Sequence, residues 1–158
     1  MCIIVLFLSH QSAGQIDPSS DTLKYVPVTV YDPKRDAEAD IKAAVLEAER
    51  TGKNVLLDVG GDWCVWCHTL DLFFHQNRTL LEYRELLFVM VKINFSPGNQ
   101  NKNVLSRYPT IPGFPHLFVL NSKGKLLHSQ GTGELEEGKS YNHDKFFKFL
   151  KRWGPTAK

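Results

Sequence analysis

Cysteine is scarce in this chain, with Cys2, Cys64 and Cys67 as the three among 158 residues. That is not a disulfide framework, which carries more cysteines at wider spacing. An excess of charge of one sign is also missing. Nineteen basic and 17 acidic residues leave a formal net charge of +2. The basic residues are scattered, so bulk charge gives no argument for nucleic acid or an anionic membrane as partner. No apolar run approaches the roughly 20 residues that a bilayer-spanning helix needs. There is no internal repeat and no low-complexity block. No second C-x-x-C or paired-histidine motif completes a tetrahedral zinc site. What remains, 42% hydrophobic and 23% charged, is the composition of one globular domain that buries a core without staples.

The ends of the chain read differently from its middle. Cys2 to Leu8 is unbroken apolar sequence, followed by Ser12-Ala13-Gly14-Gln15. This matches the h-region and cleavage region of an export signal, with cleavage expected after Gly14. No Lys or Arg precedes the run, and a start site placed too late would account for that. The expected organisation is a signal at 1–14, a linker or edge strand at 15–35, and a domain at 36–158. The expected location is outside the cytoplasm, periplasmic or secreted.

Within the domain the periodicities are clear. Ile41, Ala44, Val45 and Ala48 form one apolar face, predicting a helix over 36–51 that Gly52 stops. Asn54 to Val59 reads as a buried strand, Gly60-Gly61-Asp62 as a turn, and a helix is expected from Cys64 through Phe74. Leu80 to Glu85 suggests one further helical turn, and Leu86 to Phe95 a second buried strand. A short helix is expected to end near Tyr108. Pro112-Gly113-Phe114-Pro115 breaks the chain. His116–Leu120 and Lys125–His128 flank a turn and predict a hairpin, with Gly131 opening a loop. Phe146, Phe149, Leu150 and Trp153 mark a last helix over 143–153. Strands separated by helices pair in parallel, and the hairpin adds antiparallel strands. The fold class is therefore α/β, a mixed sheet with helices on both faces.

The chemistry concentrates at Cys64-Val65-Trp66-Cys67. A thiolate is the nucleophile of disulfide exchange. Cys64 opens a helix, where unpaired N–H groups and the dipole favour the thiolate. Cys67 lies about one turn on, within reach of a disulfide. Cys64 is thus expected to attack and Cys67 to resolve. Asp58, in the middle of Val-Leu-Leu-Asp-Val, would be buried, and burial raises a carboxyl pKa. It is either a proton-exchange group or an aspartate tied to Lys92 or a backbone N–H.

The stretch Leu57-Asp58-Val59-Gly60-Gly61-Asp62-Trp63-Cys64-Val65-Trp66-Cys67, followed by Phe114-Pro115, resembles the thioredoxin superfamily. The resemblance implies a thioredoxin-like fold and a thiol-disulfide oxidoreductase. It implies that Asp58 is the buried carboxylate serving the resolving cysteine and that Lys92 is its partner. It matches Pro115 to the cis-proline beside the disulfide and Gly131 to a glycine of the substrate patch. Trp63, Trp66, Phe114, Pro115 and Gly131 are the candidate substrate-binding residues. The pair Val65-Trp66 replaces Gly-Pro, and His68 stands where lysine is common. Both look closer to secreted bacterial thioredoxin-like proteins. Disulfide-containing or dithiol proteins are the expected substrates, with a redox partner supplying or accepting electrons, no nucleic acid, no stable membrane insertion once the signal is removed, and no cofactor or metal. Reduction is the expected direction, from Asp58 and the lack of a histidine between the cysteines.

Two other readings stay open on sequence alone. Cys64-Val-Trp-Cys67-His68 also spells the attachment signature of c-type haem. His68 would be one axial ligand, with Met90, His75, His116, His128 or His143 as the second. Alternatively the fold is a binding module with little turnover, docking protein through Trp63, Trp66 and Phe114.

Overall fold

β1, Asn54–Gly60, is buried at all of its positions, and that sets the architecture. Side chains along a strand alternate between faces. In this computed structural model, which describes residues 24–156, both faces of β1 are covered. Val55, Leu57 and Val59 pack with Ala44 and Ala48 of helix α1 (Ala37–Thr51). Leu56 packs with Leu70, Phe73 and Phe74 of helix α2 (Val65–Gln76). The expected export signal with Cys2, and part of the expected linker, lie outside the described residues.

The helix ends follow from local chemistry. The Asp36 carboxylate accepts hydrogen bonds from the N–H groups of Glu38 and Ala39, at 3.0 and 3.2 Å. Such a cap is worth about 1 kcal/mol. Gly52 ends α1 in the left-handed region, at φ 71°, where glycine alone carries no steric cost.

The boundary before the second strand differs from the sequence reading. Helix α3 runs from Arg78 to Leu87 rather than forming a single turn, so Leu86 and Leu87 are helical and strand β2 begins at Phe88 (Phe88–Asn94). The apolar residues Leu80, Tyr83 and Leu87 recur at helical spacing and pack on the cluster containing Phe73 and Phe146. An apolar run alone does not separate a strand from the end of a packed helix.

β2 pairs with β1 in parallel, Asp58 opposite Lys92. Helix α4 (Lys102–Leu105) lies in the long connection to β3 (His116–Leu120), which pairs antiparallel to β1. β4 (Leu126–Gly131) completes the hairpin, so the sheet order is β2-β1-β3-β4. β4 extends past His128, and Gly131 pairs with His116 instead of opening a loop. A 3-10 turn (Thr132–Leu135) and a two-stranded ribbon, β5 (Glu136–Glu137) and β6 (Ser140–Tyr141), lead to α5 (His143–Trp153). The mixed sheet with helices on both faces agrees with the expected fold class. In the segment before α1, Val28 forms a single parallel bridge with Val91. Among the described residues no helix is long and apolar enough to cross a membrane.

Candidate active site

The site forms where β1 ends and α2 begins. Cys64 is the N-cap of α2, and its Sγ accepts a hydrogen bond from the Cys67 N–H at 3.2 Å. Cys64 and Cys67 are joined in a disulfide, with their Cα atoms 5.2 Å apart. Both are buried, Cys64 at 3% and Cys67 at 0% exposure. The sulfurs therefore sit in the field of the helix N-terminus, which stabilises a thiolate once the bond opens.

Gly60 makes this approach possible. A Cβ there would overlap Cys67 Sγ and come within 2.9 Å of the Tyr31 hydroxyl. The rim around the disulfide is aromatic. Trp63 is 53% exposed, with its indole N–H donating to the Phe95 carbonyl at 2.6 Å. Phe114 meets the Trp63 ring edge-on at 5.5 Å and packs against the cysteine cluster, as Trp66 does. The Phe114–Pro115 peptide bond is cis. The Thr132 hydroxyl donates to the Pro115 carbonyl at 2.8 Å. Trp66 is held by Tyr141, whose hydroxyl donates to the Trp66 carbonyl at 3.2 Å. Gly131 is related to this cluster through its sheet partner His116, the residue after Pro115.

A charged group lies on the α2 face of the sheet, against Tyr31 of the cysteine cluster. Asp58 and Lys92 are register partners on adjacent strands, so their side chains share a face. Lys92 Nζ lies 3.3 Å from Asp58 Oδ2 and donates more closely to Asp71, at 2.8 and 3.0 Å. It also stands 4.1 Å from the Tyr31 ring centroid, a cation–π contact. Asp58 has no exposure. Burial raises its pKa; Lys92 and Tyr31 oppose that, and Asp71 adds to it. Tyr31 is likewise pushed well above the usual tyrosine value, by burial first and then by Asp58. Each affects the other's ionisation, yet Tyr31 Oη and Asp58 Oδ1 are both buried without a hydrogen bond of good geometry.

Sequence reasoning named Asp58 and Lys92 but gave no role to Tyr31 or Asp71. Asp71 carried a findable signal, since it follows Cys67 by one helical turn on the same face. Tyr31 carried none, because it reaches the site only through tertiary folding.

Haem does not fit these residues. Attachment needs room for the porphyrin edge at both sulfurs, and Cys64 and Cys67 are both buried. A methyl group on Gly60 would already overlap Cys67, and His68 Nε2 is taken by the Asp62 carbonyl at 2.7 Å. Met90 packs against the apolar cluster around Phe88. Among the described residues no three His, Cys, Asp or Glu side chains gather to hold a metal ion.

A central mixed sheet with a disulfide at the N-terminus of the helix that follows β1 defines a thioredoxin-fold protein. The chain belongs to the Thioredoxin-like family, whose profile matches residues 36–122. It is similar to the solved disulphide isomerase of Xylella fastidiosa Temecula1, at 28% identity and TM-score 0.64, covering 81% of this chain and 98% of that one. It is similar to the thiol:disulfide interchange protein DsbD of Pseudomonas fluorescens, 28% identical over 120 residues, which is 75% of this chain and 19% of that protein. The chain thus spans about a fifth of the length of the curated relatives it matches. The oxidised C-terminal domain of Neisseria meningitidis DsbD has the same fold, at 24% identity and TM-score 0.53, covering 78% of this chain and 97% of that one. The family, the relatives and the C-x-x-C pair together give the chain the fold and the cysteine motif of thioredoxin-like thiol-disulfide oxidoreductases.

Proposed function

We propose that this chain is a thiol-disulfide oxidoreductase that reduces protein disulfides outside the cytoplasm, and that the buried Asp58–Lys92 pair against Tyr31 of the cysteine cluster carries that reading. The Cys64 thiolate attacks one sulfur of a substrate disulfide. A Cys64–substrate bond forms, and the second substrate sulfur leaves as a thiolate. Cys67 then gives its proton to the Asp58 carboxylate and attacks Cys64 Sγ. The Cys64–substrate bond breaks, the substrate leaves with the second electron pair, and the protein ends as the Cys64–Cys67 disulfide. A carboxylate whose pKa is raised by burial is a better proton acceptor for a thiol. Lys92 limits that rise, and Asp71 links Lys92 to solvent, its side chain being 40% exposed.

Trp63, Trp66 and Phe114 supply an aromatic rim for the substrate chain, with Pro115 and Gly131 framing its backbone. Export is supported by the apolar run at the N-terminus, and it requires electrons from a redox partner across the membrane. The relatives' names, thiol:disulfide interchange protein and disulphide isomerase, support exchange chemistry with protein partners.

Insulin reduction with dithiothreitol as electron source tests the activity, with Cys64→Ser as control. Equal rates in both proteins would sink the catalytic reading and favour a binding module. The potential of the Cys64/Cys67 couple tests direction. A value near the about −270 mV of thioredoxin supports reduction, and one above about −180 mV overturns it.

A further inference from the structure

Two polar atoms at the site are buried without a hydrogen-bond partner, the Tyr31 hydroxyl and Asp58 Oδ1. Leaving such groups unpaired in a dry environment is costly. Their position gives the cost a purpose. Tyr31, 5% exposed, belongs to the same buried cluster as Cys64 and Cys67. The bare Cα of Gly60 leaves room for its hydroxyl and Cys67 Sγ on the same side, since a Cβ there would overlap the sulfur and lie 2.9 Å from Oη. In the disulfide, Cys67 Sγ is a poor acceptor. After reduction it becomes a thiol or thiolate, and a thiolate needs a donor.

We propose that Tyr31 is a second catalytic group of the dithiol site, a hydrogen-bond donor shared between Asp58 Oδ1 and the sulfur of Cys67. While the disulfide is closed, the hydroxyl lies beside Asp58 with no hydrogen bond of good geometry. When an incoming dithiol attacks Cys64, a bond forms from its sulfur to Cys64 Sγ. The Cys64–Cys67 bond breaks, and Cys67 leaves as a thiolate with the electron pair. The hydroxyl then turns to Cys67 Sγ and stabilises that charge. The second thiol of the dithiol attacks its own sulfur in the mixed disulfide, and Cys64 is released. The dithiol is oxidised by two electrons and the protein reduced by two. Tyr31 keeps its proton throughout, which its elevated pKa favours. The charged and titratable groups around it are Asp58 on β1, Lys92 on β2, Asp71 with the two cysteines on α2, and Tyr141 on β6. The segment before α1 thereby supplies a residue to the site.

The proposal rests on the reading of Cys67 as the resolving cysteine, and the test separates the two. Tyr31→Phe keeps the ring on Lys92 and removes only the hydroxyl. In a Cys2→Ser/Cys64→Ser background, with Cys67 the one ¹³Cβ-labelled cysteine, NMR follows its titration. Tyr31→Phe should raise the Cys67 pKa by about one unit, the tenfold equivalent of one charge-assisted hydrogen bond. In the chain with both active-site cysteines, opening of the disulfide by dithiothreitol should slow about tenfold. Difluorotyrosine at position 31, a stronger donor of nearly the same shape, should move the titration the opposite way. An unchanged Cys67 titration in both variants overturns the proposal, whatever the rates do. Failure of the parent protein to reduce insulin overturns the reductase reading instead, and the Cys67 titration still decides whether Tyr31 donates to that sulfur.

Discussion

The two faces of the central sheet have different compositions. Toward α1, β1 and β2 present Val55, Leu57, Val59, Val91 and Ile93, all apolar and buried. Toward α2 the same strands present Leu56 and Phe88, then Asp58 and Lys92, both buried. A face without polar atoms is limited by volume and shape alone. A face carrying a buried ion pair bears a desolvation cost that packing must offset. Under the proposed function, stability and chemistry would be divided between neighbouring residues of one strand, and that division is open to test.

The largest expected effect lies on the chemical side. Cys64→Ser should reduce insulin reduction to the uncatalysed rate, since the attacking thiolate is gone, while thermal unfolding of the reduced protein stays close to that of the reduced parent. A variant that keeps its rate would relocate the nucleophile.

Leu57 and Asp58 are adjacent in sequence and face opposite ways. Leu57→Ala leaves a cavity in the α1 face and should cost about 2–5 kcal/mol in denaturant unfolding. Its couple should keep the parent potential. Asp58→Leu should do the reverse. Lys92 retains Asp71, so stability should stay within about 1 kcal/mol of the parent, while insulin reduction falls about 10²-fold. If both variants lose stability equally and keep activity, the division between faces does not exist.

The same strand explains what the sequence made visible. Asp58 and Lys92 stand out because each interrupts an apolar run, and the C-x-x-C pair because it follows a glycine turn. Such signals are local and survive without the fold. The extent of α3 was less legible, because Leu86 and Leu87 continue an apolar run into β2. The small ribbon of β5 and β6 left no periodicity, being only two residues a side. Tyr31 precedes α1 in a stretch rich in turn residues, and its burial against Cys67 arises from packing between distant segments. Gly60 read as a turn residue, yet its φ is not in the left-handed region. What it supplies is space for a sulfur.

A smaller effect concerns pH. Asp58 has a raised pKa in the folded protein, so the native state binds its proton more tightly than the unfolded chain does. Stability from this group is then full below the unfolded carboxyl value of about 3.9 and is lost as pH rises through the folded value. Asp58→Asn removes that dependence. The difference in unfolding free energy, parent minus Asp58→Asn, should fall as pH rises across this window. A difference that rises would mean that Lys92, with Tyr31, outweighs burial.

The smallest expected effect belongs to Asp71, at the solvent end of the charged group. Its side chain is 40% exposed, so water screens its pairing with Lys92, and Asp71→Asn should change stability by no more than about 1 kcal/mol. Its effect on Asp58 is indirect and has a definite sign. The Asp71 carboxylate raises the Asp58 pKa by like-charge repulsion, and it also holds Lys92 closer to itself than to Asp58. Removing its charge ends the repulsion and frees Lys92 to turn inward. Both changes favour the Asp58 anion, so the acid limb of the pH–rate profile for insulin reduction should move to lower pH. The rate on the plateau should change less than about tenfold, because Asp71 touches neither sulfur nor substrate in the proposed steps. A limb that moves to higher pH would show that Asp71 mainly holds Lys92 in place for Asp58. A limb that does not move would confine the chemistry of this face to Asp58, Lys92 and Tyr31.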